Sequence, residues 1–313
     1  MKIAYQEWGS QIFPKKILAL HGWLDNSNSF CFLGPYLADR GYHVVAIDQA
    51  GHGRSSHLPP SAHYSQQKGV FYTKQILDIL DWKKSSIVGH SLGGVIAVEV
   101  CACFPELVDS LVIIDSLGAF SAPADKTVQK LRKAVLEETK HYEKTKSARI
   151  YPSYIDAVNA RVRNSVAFSK KPLSVEAAKL LVSRGVVEIE SSECDDIGDI
   201  DTSSASTVRF SHDPRLQLPN FVYHTPEQGN NYFEELQTPT LLITADPPVP
   251  EFQTETTQLR MDILQKKGLV VHHPLPGSHH LHADPDTAPI VADKVFEFLS
   301  NIHRMNTAVD KTI

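Results

Sequence analysis

The amino-acid sequence predicts an α/β protein: a mostly parallel central sheet flanked by helices, with an inserted, mainly helical cap. Two observations carry this prediction. Short, almost wholly apolar runs alternate with amphipathic stretches up to about Gly118, and the alternation resumes at Thr240. Strands buried on both faces beneath helices read this way. Between those regions strand signals fade and charged, helical periodicity takes over. Residues 1–120 and 237–313 are therefore expected to form one core domain, and 121–236 an inserted cap (lid) domain.

The elements follow in order. Residues 3–8 read as an edge strand and 16–20 (KILAL) as a buried one. A helix is expected over 28–40, with Phe30, Leu33, Tyr36 and Leu37 as its apolar stripe and Gly41 as its stop. Residues 43–48 form the next strand, 64–82 the next helix, and 86–90 a strand leading directly into a helix. A further strand covers 111–115. Within the cap, 126–146, 154–167 and 174–183 read as helices. Residues 190–207 are acidic, serine-rich and poor in large apolar residues, which predicts a loop. Residues 208–216 read as a strand entering a turn. Strands at 240–244 and 269–271 and a helix over 285–303 complete the core, and no internal repeat is visible.

Composition narrows the function. The 313 residues carry a net charge of −5, with 42% hydrophobic and 21% charged residues, ordinary values for a soluble protein. No basic patch suggests nucleic acid or an anionic membrane as partner. No apolar run reaches transmembrane length, and the N-terminus lacks the apolar centre of a signal peptide. Cys31, Cys101, Cys103 and Cys194 show no metal-binding or redox spacing. Cys101 and Cys103 point to different faces of one predicted helix, so a reduced, cytoplasmic or other intracellular compartment is expected. The expected partner is a small-molecule substrate.

One stretch carries the chemistry: Ile87-Val88-Gly89-His90-Ser91-Leu92-Gly93-Gly94. It reads as a strand, a tight turn with Ser91 at its tip, and a helix start. A nucleophilic serine must stand clear of the sheet, which requires a sparsely populated backbone conformation. Strand and helix then approach so closely that glycine is needed at Gly89 and Gly93. The helix directs its first N–H groups, that of Leu92 foremost, at an oxyanion formed above Ser91. This G-x-S-x-G pattern resembles the nucleophile elbow of α/β-hydrolases.

Three further stretches strengthen the resemblance: HGWLDNSNSF from His21, AIDQAGHGRSSH from Ala46, and PGSHHLHADPD from Pro276. Together they are similar to the α/β-hydrolase superfamily, and more narrowly to the serine-hydrolase-like proteins of animals and their microbial relatives. The likeness spans both ends of the chain and is thin in the cap. It implies Ser91 as nucleophile, His279 as general base, and the backbone N–H groups of Trp23 and Leu92 as oxyanion donors. His280 and His282 are the alternatives to His279. Reading the histidine cluster as a metal site, with His272 and His273, would leave the elbow without a purpose, so no metal and no cofactor are expected.

The acid is less clear. Asp246 follows the strand at 240–244, where this superfamily carries its carboxylate, but Ala245-Asp246-Pro247-Pro248 places it about two residues early. Asp115, at the end of the preceding strand, is the alternative. Either would orient the imidazole and stabilise its cation. His21, Gly22, Trp23 and His90 are expected to line the substrate site. The glycine-rich turn after Asp48 reads as structural, with no catalytic role for His52.

The pattern therefore predicts a serine hydrolase acting on small, mostly apolar carboxylic esters through an acyl-enzyme. Two alternatives use the same residues differently. One is a C–C bond hydrolase or lyase with the same triad. The other is a ligand-binding member of the fold that has lost turnover.

Overall fold

The computed structural model describes residues 1–143, 149–167, 169–189 and 206–309. Most of the acidic stretch expected to be a loop, and the end of the helix expected over 126–146, lie outside the described residues. The chain begins with β1 (Tyr5–Trp8) and β2 (Lys15–Leu20), then α1 (Leu33–Ala38), β3 (Tyr42–Ile47) and α2 (Gln66–Leu80). β4 (Ser85–His90), α3 (Leu92–Cys103) and β5 (Val108–Ile114) follow. A covering segment then adds α4 (Thr127–Glu143), β6 (Ile150–Tyr151), α5 (Tyr154–Ser165), α6 (Val175–Gly185), β7 (Val186–Glu188) and β8 (Val208–Phe210). α7 (Pro226–Glu235), β9 (Thr240–Asp246), α8 (Glu255–Lys266), β10 (Val270–Pro276) and α9 (Ala288–Val309) return the chain to the core.

The central sheet has the order β1-β3-β2-β4-β5-β9-β10. β1 runs antiparallel to β3, and every other pairing is parallel. β5 and β9 are neighbours, with Ile114 beside Ile243, although the whole covering segment lies between them in sequence. Alternate strand residues feed two cores. Ile17, Ala19, Val44, Val88, Val112 and Ile243 pack beneath α1 and α9. Leu18, Val45, Ile87, Leu111, Ile113 and Leu242 pack beneath α2, α3, α7 and α8. The two-residue period of a strand explains the split, and burial on both faces explains the unbroken apolar runs.

The expected helix over 28–40 is divided into a 3-10 turn at Ser27–Phe30 and the short α1. Pro35 is the cause: its ring would clash with the carbonyl four residues back, so α-helix cannot run through Cys31. The covering segment has its own small core of Val158, Ala178, Leu181 and Val182. It also contains an antiparallel sheet in the order β6-β8-β7, so it is less purely helical than the periodicity suggests. α7 packs against α3 and α8, with Phe233 and Leu236 in the main core. Thr225-Pro226-Glu227-Gln228 starts α7 with a complete capping box and a proline in the first turn. Among the described residues, no helix is long and apolar enough to cross a membrane.

Candidate active site

β4 and α3 meet at Ser91, whose φ of 50° and ψ of −119° place it in backbone territory that side chains rarely occupy. The neighbouring contacts explain the glycines. A Cβ at Gly89 would lie 2.4 Å from the Gly93 carbonyl oxygen, and one at Gly93 would lie 2.0 Å from that of Leu20. The turn is fixed by the Ser91 N–H donating to Ile114 O at 3.0 Å, and by Gly94 N–H donating to Ser91 O at 2.9 Å. α3 starts at Leu92, so its first N–H groups have no acceptor within the helix and face the serine end.

His279 lies in the loop after β10. Its Nδ1 is 2.6 Å from Asp115 Oδ2. Asp115 directly follows β5, the strand beside β4, in a left-handed conformation with φ of 50°. Its other oxygen accepts the Ala245 N–H at 2.8 Å, so both carboxylate oxygens have partners and the group cannot swing away. With Nδ1–H donated to the carboxylate, Nε2 is the acceptor nitrogen of the His279 imidazole. Ser91 and His279 line one cavity of about 780 Å³.

Asp246, the other expected candidate for the acid, is not the carboxylate that meets the imidazole. It occupies the exposed end of β9, and its contact near the histidine loop is through the main chain, where its carbonyl accepts the Gly277 N–H at 3.2 Å. The sheet order gives the reason. β5 lies between β4 and β9, so a carboxylate at its end is one strand nearer Ser91.

The loop after β2 carries Trp23, and β2 pairs with β4 on the side opposite β5. Trp23 lines the cavity with Leu92, and its indole Nε1–H donates to Leu216 O in the covering segment at 2.9 Å. The other three residues expected to contact substrate lie behind the cavity wall. His21 is fully buried, with its Nε2 accepting the Gln49 N–H at 2.9 Å. A Cβ at Gly22 would meet His90 Nδ1 at 2.9 Å, which shows how tightly this loop packs on the elbow. His90 is also fully buried, with Nε2 2.8 Å from the His279 carbonyl. Alternation along β4 turns His90 inward, and the positions of His21 and Gly22 behind Trp23 turn them the same way.

Comparison with known proteins agrees with this fold. Residues 16–176 match the family model of the alpha/beta hydrolase fold. A serine hydrolase-like protein of Dictyostelium discoideum is 32% identical over 95% of this chain and 78% of its own length. The serine hydrolase-like protein of mouse is 28% identical over 98% of this chain and 94% of its own. The crystal structure of a hypothetical protein from Pseudomonas aeruginosa superposes with a TM-score of 0.79 at 31% identity, covering 94% of both chains. The chain belongs to the alpha/beta hydrolase family.

In this α/β hydrolase a buried polar cluster joins Asp25 and Arg161, which the sequence did not single out, to His90 and His280. Asp25, two residues after Trp23, lies 3.2 Å from His280 Nε2 and 3.5 Å from His90 Nδ1. Arg161 from α5 pairs with the same carboxylate. Burial alone would push the Asp25 carboxyl up. The Arg161 guanidinium and the two imidazoles outweigh that effect and hold it well below the usual carboxylate range. His280 is pushed down to about 4 by burial, partly offset by Asp25, so both imidazoles in this cluster are neutral near pH 7. A second arginine of the covering segment, Arg184 on α6, donates to both oxygens of buried Asp48 at 3.0 Å. Asp48 also accepts the N–H groups of Ser27 and Arg54, a structural role in the glycine-rich turn.

Asp25, His90 and His280 offer potential ligand atoms within 4.8 Å of one another. The cation already on Asp25 opposes a metal there, since Arg161 Nη2 also lies 3.3 Å from His280 Nε2. His272, part of the histidine cluster, instead bonds Thr244 Oγ1 through Nε2 at 2.9 Å, away from that group.

Proposed function

We propose that this α/β hydrolase cleaves carboxylic esters through a Ser91–His279–Asp115 triad. The observation that carries the reading is the 2.6 Å pairing of His279 with Asp115 at the wall of the cavity that Ser91 also lines. In the first step Nε2 of His279 takes the Ser91 hydroxyl proton while Oγ bonds to the ester carbon. The carbonyl π electrons move to oxygen, and the N–H groups of Leu92 and Trp23 stabilise that oxyanion. Collapse of the intermediate breaks the C–O bond, and His279 gives its proton to the departing alcohol. Water then attacks the acyl-enzyme by the same route, releasing a carboxylic acid and restoring Ser91. Asp115 remains ionised throughout and stabilises the imidazolium.

The loop carrying Trp23 meets the covering segment through Leu216, which supports a role for that segment in closing the site over a small, mostly apolar substrate. A fluorophosphonate probe tests the nucleophile. Wild type is expected to be labelled stoichiometrically and Ser91→Ala not at all. A panel of p-nitrophenyl esters against β-diketones tests the bond cleaved, with esters expected to turn over. Labelling of both proteins to the same extent would remove Ser91 from the role.

A further inference from the structure

The run Trp23-Leu24-Asp25-Asn26-Ser27-Asn28 after β2 directs its polar side chains at the covering segment. The Trp23 indole donates to Leu216 O at 2.9 Å, and Asp25 pairs with Arg161 on α5. Buried Asn26 donates through Nδ2 to Leu181 O at 2.8 Å, and Asn28 donates to Leu180 O at 2.6 Å, both carbonyls of α6. The Ser27 N–H goes to Asp48, which Arg184 of α6 holds. Gly185 lets α6 come this close, because a Cβ there would lie 3.1 Å from Asn26 Nδ2.

The backbone of the same loop is strained. Leu24 has a φ of 59°, left-handed territory that favours glycine. It lies in a turn closed by the Asp25 N–H donating to Gly22 O at 3.2 Å. Trp23 and Leu24 are the two central residues of that turn, so its conformation sets the direction of the Trp23 N–H. A strained turn persists only where its surroundings over-determine it. Trp23 and Asp25 flank Leu24, and the side chain of each is fastened to the covering segment, as is that of Asn26.

We propose that the covering segment holds the strained turn at Leu24 through Trp23, Asp25 and Asn26, and so aims the Trp23 N–H at the oxyanion. This role deepens the esterase reading and rests on it for the oxyanion itself. The Trp23 indole, Asn26 and Arg161 are then positioning groups that act through the main chain at Trp23. The covering segment is more than a roof over the cavity: the donor is correctly placed only while it is docked.

A trifluoromethyl ketone reads the oxyanion directly. Ser91 Oγ bonds to its carbonyl carbon, the hydroxyl proton passes to His279 Nε2, and the carbonyl π pair becomes an alkoxide where the ester oxyanion would form. The matching trifluoromethyl carbinol has nearly the same shape and cannot add. The ratio of the carbinol to the ketone inhibition constant therefore separates the adduct from ground-state contacts. Trp23→Phe keeps a ring and the backbone N–H and removes the bond to Leu216. It is expected to lower that ratio, and kcat for p-nitrophenyl acetate, about tenfold, short of the roughly hundredfold or greater loss that follows removal of a donor outright. Asn26 does not line the cavity, so Asn26→Ala should lower the ratio and kcat while leaving KM unchanged. Melting curves establish that each variant is folded, and the milder Trp23→Phe decides alone if Asn26→Ala is not. A wild-type ratio in folded Trp23→Phe would overturn the role while leaving the esterase reading intact. A wild-type protein that turned over no ester and formed no ketone adduct would remove the esterase reading, and this role with it.

Discussion

Asp115 and His279, 164 positions apart in the chain, meet at 2.6 Å, and the other Asp115 oxygen is tied to the Ala245 N–H. The carboxylate is thus fixed on one side by the sheet and on the other by the imidazole it orients. In such a triad, replacing the acid by its amide leaves the shape intact but favours the wrong imidazole tautomer.

Asp115→Asn is therefore expected to lower kcat for ester hydrolysis by roughly three to four orders of magnitude. Asp246→Asn should leave it unchanged within experimental error, since that carboxylate is exposed at the end of β9. Steady-state kinetics on both variants decide the matter. A large loss in Asp246→Asn with none in Asp115→Asn would reverse the assignment.

Much of this was legible in the residues because the strongest constraints are local. The elbow requires Gly89, Ser91 and Gly93 within five positions, and strands buried on both faces advertise themselves by unbroken apolar runs. The choice between Asp115 and Asp246 was not local. It depends on the β4-β5-β9 order, which places the covering segment between two adjacent strands. The inward turn of His21 and His90 was equally hidden, because a histidine beside a nucleophile reads the same whether it faces substrate or interior. α7 had a readable start in Thr225-Pro226-Glu227-Gln228. Its polar composition concealed the two positions, Phe233 and Leu236, that dock this region on the core.

Arg161 joins the covering segment to the loop after β2 through Asp25, whose side chain is almost fully buried. Removing the guanidinium would leave a buried carboxylate with only neutral imidazoles. Arg161→Gln should destabilise the protein by about 3 kcal/mol, a usual cost of breaking a buried pair from one side. Adding Asp25→Asn should recover part of that loss, because the uncompensated charge is then gone. Urea unfolding of the four proteins in a double-mutant cycle measures the coupling. Additive losses would show that the pair carries no net interaction.

Acid should destabilise the protein through its buried histidines. Burial holds His280 at about 4 and His52 at about 3, against 6.5 in the unfolded chain. Between those values the unfolded state binds more protons than the native state, so stability falls as pH decreases. Above pH 7 these groups are neutral in both states and contribute no slope. Melting temperatures recorded from pH 8 to pH 4 should hold steady above 7 and decline from about 6.5 downward. His280→Asn should make that decline shallower. A melting temperature that stayed constant to pH 4 would contradict the burial of these rings as neutral groups.

Glu99, on α3, gives the opposite dependence. Its carboxylate is buried, accepts from the Gln66 amide, and lies 3.6 Å from His224 Nε2. Burial pushes its pKa up to about 7, partly offset by the Gln66 hydrogen bond. Between 4.5 and 7 the native state therefore holds a proton that the unfolded chain has released. The sign follows: stability associated with this group is present below 4.5 and is lost as pH rises through 7. Above that point the fold carries a poorly solvated negative charge costing on the order of 1–3 kcal/mol. Glu99→Gln keeps the size and the acceptor for Gln66 while removing the charge. It should raise the urea midpoint relative to wild type at pH 8 and leave the two proteins nearly equal at pH 5. A variant less stable than wild type at pH 8 would mean that His224 carries enough positive charge there to hold the carboxylate ionised, and the interior around α3 would then be a buried ion pair.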